Sequence, residues 1–473
     1  MSKTKETARV VIIGAGASGI AAGTRLLEQG FRNVLLLEAE DRIGGRICSI
    51  PFADSLMDLG AQWCHGEKGN VVYEFVKDLN FLERTGDYYK NVQFVRSNKD
   101  KIVAEQSKIF IEIAENSIPN KNVEFYGTEG DYVKQKYWQE INEQKPSIDN
   151  TLATEFLESF LKYECSVDGC DNLFEVSNRN HKEFIESDGD NLLHWRDKGY
   201  RTFLRLLMDG KENQPNDLGK LNGRVLFNRR IAEIKWSQCN ELILRCWNGE
   251  IIQADHIICT VSLGVLKEQH SQLFVPPLPR SKVRAIEGLK LGTVDKFVME
   301  FQVQPLPADC VGFNFLWLQK DLQEIRSTEW FWLESVGSFH RVSHQPRLLE
   351  GWITGQHARH METLTEEKVL EGLLWLFGKF LCFNIPEPKR FIRTQWHANP
   401  NFRGSYSFRT TLADDLNIGP WDLEAPIMDS LNKYPKLQFA GEASSKTHFG
   451  TVNGATETGW READRLSQCY TTT

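Results

Sequence analysis

Hydrophobic and polar positions alternate along this chain with helical or strand-like spacing, and each spacing predicts an element. Arg9-Val10-Val11-Ile12-Ile13 is a β-branched run without polar alternation, which predicts a parallel strand buried on both faces. After Gly14, an Ala-rich stretch from Gly19 to Gln29 reads as a helix closed by Gly30. A second apolar run, Val34-Leu35-Leu36-Leu37, predicts a neighbouring strand that ends in Glu38. From Gly223 to Leu266 the pattern becomes a string of short strands: Arg224 to Asn228, Ile231 to Ile234, Leu242 to Cys246 and Ala254 to Ser262. Helical spacing covers Asn150 to Leu161 and Glu366 to Phe380. The aromatic stretch holding Phe313, Phe315, Trp317, Trp330, Phe331 and Trp332 predicts packed core ahead of a tunnel wall. Strands interleaved with helices give the α/β class.

Length and composition narrow the class. At 473 residues the chain exceeds one ordinary core and predicts two lobes. It is 41% apolar and 25% charged, which excludes disordered and fibrous classes. A formal net charge of −8 disfavours nucleic acid and suits a cationic substrate. No run of eighteen apolar residues is present, so no membrane-spanning helix is expected. The ten cysteines are too sparse for a disulfide scaffold, and Cys165 and Cys170 lack the partners of a zinc set. The start, Met1 to Lys5, runs into a strand without a secretory segment, and Tyr470 to Thr473 is not a peroxisomal address. The expected location is cytoplasmic.

Chemistry enters at Gly14-Ala15-Gly16-Ala17-Ser18-Gly19, set between the first strand and its helix. Gly14 permits a tight turn, Gly16 lets the backbone approach a pyrophosphate, and Gly19 lets helix pack on strand. The helix N-terminus supplies amide donors and a positive dipole end. Glu38, followed by Ala39, falls about 20 residues on, where a carboxylate accepts from a ribose hydroxyl and disfavours a 2′-phosphate. This segment leaves the kind of dinucleotide open. Asp41-Arg42-Ile43-Gly44-Gly45-Arg46 follows, with a glycine pair for close passage and an arginine for phosphate or flavin oxygens.

With that turn the sequence resembles the flavin amine oxidase family, which includes monoamine oxidases, polyamine oxidases and related histone demethylases. Further matching stretches follow in the family's order. Asp58-Leu59-Gly60-Ala61-Gln62-Trp63-Cys64-His65-Gly66 resembles the loop lining the flavin, and its ending is closest to animal spermine and acetylpolyamine oxidases. Ala285 to Phe297 resembles the segment bearing the flavin-facing lysine, which makes Lys296 the matching position and Lys290 its competitor. Trp396 to Phe408 resembles the aromatic element beside the flavin, and Leu437 to Glu442 with Thr451 to Ala463 resembles the strand and helix that close the cofactor site.

The resemblance implies a two-domain FAD-linked amine oxidase fold, a Rossmann-like FAD domain (1–83, 202–293, 390–473) plus a mixed-sheet substrate domain (84–201, 294–389). It implies FAD held by Gly14, Gly16, Ser18, Gly19, Glu38, Ala39, Gly45 and Arg46, by Gly60, Ala61, Gln62 and Trp63, and by Ile231. Trp396, Gly441, Glu442, Thr451 and Val452 complete that set. Monoamine oxidases attach flavin through a cysteine where Ser405 stands here, so the FAD is expected to be noncovalent. Lys296 would hold a water near the flavin, and His65 would bind or orient an amine. Glu183, Tyr406 and Gly450 would meet the substrate, Glu183 facing its distal amine. Phe408 fits an aromatic wall or plain core.

One departure stands out. Vertebrate polyamine oxidases carry Y-S-T-T-H-G where this chain has Phe449-Gly450-Thr451-Val452-Asn453-Gly454, so a hydroxyl and a histidine are missing and substrate preference is expected to differ. The implied reaction takes a hydride from the carbon beside a secondary amine of a polyamine. An aldehyde, a shorter amine and, through oxygen, hydrogen peroxide result. The amine must be neutral, so activity should rise into alkaline pH. A monoamine or amino-acid oxidase of the same fold and a flavin-binding sensor without turnover stay open as alternatives. A histone demethylase is disfavoured, because no chromatin-binding insertion or basic tail is evident.

Overall fold

A computed structural model of the chain describes residues 3–85, 92–144, 148–211, 214, 216–237, 241–431 and 433–470. The opening apolar run forms the strand Arg9–Ile13, central in a six-stranded sheet. The order is Ile427–Met428, Pro435–Phe439, His256–Cys259, Arg9–Ile13, Asn33–Leu37 and Val225–Leu226. All neighbours are parallel except the antiparallel edge pair. Side chains alternate between two cores. Val10 and Ile12 pack with the helices Ala17–Glu28 and Val452–Cys469, whereas Val11 and Ile13 pack with Ile257, Leu437 and Phe439. Burial on both faces explains the missing polar alternation, and each such side chain contributes about 1.5–3 kcal/mol. This sheet therefore draws on the start, middle and end of the chain.

The second large sheet runs Arg390–Arg393, Val294–Glu300, Gln345–Thr354, Val336–Val342, Gly312–Leu316 and Val92–Arg96. It is antiparallel apart from its last pair. Phe297 and Met299 face a core shared with the helix Glu366–Phe380. Phe313, Phe315, Trp317 and Trp332 lie in that core, as the sequence suggested. Val298 points to the opposite face, toward Phe52 and Met57 of the hairpin Ser49–Asp58. Lys296 shares that face with Val298, because side chains alternate along a strand.

The helix predicted over Asn150 to Leu161 continues to Asp168 and stops at Gly169, whose φ of +68° forms a left-handed cap. Its last turns escaped the hydrophobic pattern because they carry Glu164 and Asp168 inward, with Glu164 buried. The nine described cysteines are free thiols. Cys239 lies outside the described residues. Among those residues no helix is long and apolar enough to cross a membrane.

Candidate active site

The glycine turn forms as its spacing requires. Gly14 has a φ of +100°, a region that favours glycine. A Cβ at Gly19 would sit 2.0 Å from Gly14 O, so the helix meets the turn backbone to backbone. At Gly16 the nearest outside atom to a Cβ is Gly44 O at 3.7 Å, which leaves that face open to a ligand. Glu38 is buried beside this turn. Its Oε2 accepts from Ala15 N at 2.7 Å and its Oε1 from Glu40 N at 2.9 Å. Burial raises its pKa, and those two amides oppose the rise. Ala39, half-buried, follows. Ser18 is buried against the closing helix, 3.5 Å from Thr458 Oγ1.

Across the cleft, Gly45 has a φ of +59° and brings the chain past Gly16. Arg46 Nη1 donates to Glu442 Oε1 at 2.9 Å and to Ser405 O. Glu442 Oε2 accepts from Ser407 Oγ at 2.5 Å and Gly450 N at 2.9 Å. The Glu442 carboxylate thus ties three loops together from a buried position. Arg46, Thr260, Ser262, Gly441, Glu442 and Ala443 line a cleft. Thr451 caps the closing helix by accepting from Gly454 N at 3.0 Å, and Val452 begins that helix. Ile231 is buried at the head of its strand in the adjoining core. These open glycine faces, with a helix N-terminus between them, fit a dinucleotide-bearing flavin.

The second part of the site is built around Lys296. Lys290, its competitor, is half-exposed and paired with Glu175 at the surface. Lys296 is 5% exposed. Its Nζ donates to Asp58 O at 2.9 Å and to Gln62 Oε1, and it lies 3.1 Å from Glu350 Oε1. Gln62 Nε2 closes the triangle by donating to Glu350 Oε2 at 2.9 Å. Burial of a lone ammonium is unfavourable, and two hydrogen bonds with the nearby Glu350 charge offset it. Gly60 lets this loop pass close to Arg46, since a Cβ there would meet Arg46 O at 1.9 Å and Trp396 at 3.2 Å. Ala61 N donates to Arg46 O at 3.1 Å. Trp63 stacks on Trp352 with centroids 5.8 Å apart, and Lys296 Nζ lies 5.8 Å from the Trp63 ring. Asp58, beneath, has its pKa pushed up to about 6 by burial, against the opposing pull of Ser49, Tyr200 N and Lys296.

Glu350 was not among the residues the sequence singled out. It sits diagonally across the strand pair from Lys296, whose direct partner is Trp352. Only the pairing register brings the two charges together.

His65 is exposed on the loop that follows Trp63 and Cys64. Its Nδ1–H donates to Asn191 O at 2.8 Å, which leaves the Nε2 lone pair free to accept in the neutral ring. Burial lowers its pKa, and the Asn191 carbonyl opposes this. Tyr406 donates to Ser166 O, and its ring covers Gly169, where a Cβ would lie 2.3 Å away. Gly450 has a φ of +74°, with the Tyr406 ring 3.7 Å from its notional Cβ. Asn453, the other departure, accepts from Val71 N at 2.9 Å and so holds the start of the helix Val71–Val76. Ser405 Oγ is occupied by Val294, donating to its carbonyl at 3.0 Å and accepting from its amide at 2.8 Å. Phe408 is buried in core with Phe156 and Leu173.

Glu183 requires a correction. Its carboxylate accepts from Arg409 Nη1 at 2.8 Å, and Arg179 lies 3.8 Å away, so it already has cationic partners and presents no free charge to an amine. The acid without such partners lies on the neighbouring helix end. Glu129, Asp168 and His181 bring ligand atoms within 4.8 Å of one another, and Glu129 is wholly buried, 2.8 Å from His181 Nε2. Glu164, one turn before Asp168 and 5% exposed, has no hydrogen bond or ion pair with any described residue. Burial, then Glu129, pushes its pKa up to about 8. Asp168 also rises for want of solvent, and its charge adds to the raised pKa of Tyr406. On the same helix Tyr163 and Val167 are more than half exposed. The sequence offered no local signal for this cluster, because Glu129, Glu164 and His181 come from three separate elements.

With this geometry in hand, comparisons identify kin. The chain matches the flavin-containing amine oxidoreductases over residues 17–467. It is 29% identical to the peroxisomal N(1)-acetyl-spermine/spermidine oxidase of Homo sapiens, over 97% of this chain and 94% of that protein. It is 27% identical to polyamine oxidase 1 of Oryza sativa subsp. japonica, over 98% of this chain and 97% of that protein. A wild-type putrescine oxidase bound to putrescine shares the fold with a TM-score of 0.67, at 16% identity over 97% of this chain and 98% of that one.

Proposed function

Given that the chain belongs to the flavin-containing amine oxidoreductases, and so is a flavin-dependent amine oxidase, we propose that its cofactor is noncovalent FAD and its substrate a polyamine. The reaction proposed is oxidation of the carbon beside a secondary amine of spermine or an acetylated polyamine, with oxygen as acceptor. Products are an aldehyde, a shorter amine and hydrogen peroxide. The bound flavin would supply the hydride acceptor and the route to oxygen.

The observation that carries the proposal is the buried Lys296, fixed by Asp58 O, Gln62 and Glu350 beside the stacked Trp63. Two hydrogen bonds and the Glu350 charge fix the ammonium, so its remaining N–H points in a set direction and would hold a water near the flavin. Burial lowers the pKa of His65, which favours the neutral ring, and its Nε2 can accept from an amine N–H. Tyr406 and Gly450 would border the chain of the amine. Beyond Tyr406, the carboxyl groups of Glu164 and Asp168, beside Glu129, would ionise when a distal ammonium docks, since burial holds them protonated and an opposite charge favours the carboxylate. This cluster replaces Glu183 in that role. Gly14, Gly16, Gly19, Glu38 and Arg46 are assigned to the dinucleotide half. Ser405 leaves no thiol for attachment at its position, which supports noncovalent FAD. The cytoplasm is the proposed location, to be tested by fractionation because the human relative is peroxisomal.

Anaerobic flavin bleaching across an amine panel tests the reading. Spermine or N1-acetylspermine should bleach the flavin, and the rate should rise from neutral into alkaline pH as the amine loses its proton. Bleaching by tyramine alone would move the assignment to monoamines. A yellow protein that no amine bleaches would end the oxidase reading.

A further inference from the structure

A separate group of side chains lies where the short sheet Trp63–Cys64, Leu193–Trp195, Leu82–Glu83 meets the hairpin turn at Ser343-His344. Glu83, His194 and His344 each offer one ligand atom there, and all three atoms lie within 4.8 Å of one another. Glu83 Oε2 is 3.9 Å from His344 Nδ1, and the two imidazole centroids are 4.9 Å apart. Backbone geometry sets this up. Glu83 and His194 face each other in register across antiparallel strands, while His344 caps the turn between the strands Val336–Val342 and Gln345–Thr354.

His344 Nε2–H donates to Trp195 O at 3.1 Å. That bond fixes the tautomer of the neutral ring and leaves the Nδ1 lone pair turned toward Glu83. An imidazole oriented through its far nitrogen by a backbone carbonyl is the usual support of a metal-binding histidine. The 3.9 Å gap is too long for a direct hydrogen bond. In a tetrahedral site with bonds of about 2.0–2.1 Å, donor atoms stand roughly 3.4 Å apart, so small side-chain shifts close the set. Both His344 and Glu83 are partly open to solvent, which gives an ion a route in and a water for the remaining position.

We propose that Glu83, His194 and His344 form a binding site for a Zn²⁺-class divalent metal ion, independent of the amine chemistry. Two imidazoles and one carboxylate suit such an ion better than magnesium or calcium, which prefer oxygen ligands. The bound ion would tie the hairpin turn to the strand that pairs with Trp63.

The test titrates chelator-stripped, flavin-loaded full-length protein with Zn²⁺ against a chromogenic zinc indicator. Cys382 is an exposed thiol, so Cys382→Ser serves as the parent. The parent should bind one Zn²⁺ per chain. His344→Ala and Glu83→Gln should each weaken binding by about tenfold or more, with circular dichroism showing the fold intact. Zinc should also raise the Tm of the parent, and EDTA should reverse this, whereas the double variant His194→Ala/His344→Ala should not respond. Zinc binding as tight in the variants as in the parent, or none in the parent at micromolar free zinc, overturns the proposal.

Discussion

The glycine cradle and the acidic cluster near Tyr406 handle charge with opposite means. In the cradle, backbone amides and small residues leave room for anionic phosphates, and the buried acid Glu38 receives two amide hydrogen bonds. Near Tyr406, Asp168 accepts from Asn180 Nδ2 at 3.3 Å and Glu129 lies against His181, but buried Glu164 has no hydrogen bond or ion pair with any described residue. One region is shaped by what side chains leave out, the other by side chains held in an unfavourable place. Such a place is tolerated where a cationic ligand or a proton supplies the missing charge.

The largest expected effect lies in the cradle. Gly19→Val forces carbon into Gly14 O, where even a Cβ would lie 2.0 Å away. The purified variant should lose its flavin, read as the flavin-to-protein absorbance ratio. Stoichiometric flavin in a folded Gly19→Val protein would break the contrast outright. Next comes the buried lysine Lys296. Lys296→Met should lower turnover by about 10²–10⁴-fold with flavin still bound, the range for a lost proton-handling group. It should also lower the Tm, since Glu350 is left as a buried unpaired charge, and adding Glu350→Gln should restore stability but not turnover. Recovery of turnover in the double variant would show that Lys296 serves packing alone.

A smaller effect isolates the acidic region. Glu164 rises to about 8 in the folded state from an ordinary value near 4.5. Between those values the folded protein binds a proton that the unfolded chain releases, so stability falls as pH rises, by up to about 1.4 kcal/mol per pH unit. Denaturant unfolding at pH 5 and pH 8 should show this slope reduced in Glu164→Gln. An identical slope would mean that Glu164 is already satisfied. The smallest change is Gly450→Ala, which places a Cβ at a φ of +74° without a close clash. It should cost about 1–2 kcal/mol, seen as a Tm lower by a few degrees. An unchanged Tm would show that this loop relaxes freely.

These two regions were unequally legible, for a physical reason. Gly14, Gly16, Gly19 and Glu38 act through local backbone geometry, so their spacing carries the meaning. Glu129, Glu164 and His181 act only when three separate elements fold together, and no spacing encodes that. Glu183 shows the converse error: the sequence displays its acid, but not the arginines that neutralise it.

The sequence by itself determined the α/β class, the buried strand Arg9–Ile13 and the glycine turn after it. These follow from side-chain periodicity and from residue types that backbone sterics restrict. Tertiary structure alone decided that Glu350 meets Lys296, that Asn453 holds the helix at Val71, and that Glu442 binds loops together. It also brought Glu83, His194 and His344 to one spot. Those outcomes depend on strand register and on which helix end lies beside which loop. Such relations are fixed only when the whole chain buries its apolar faces at once.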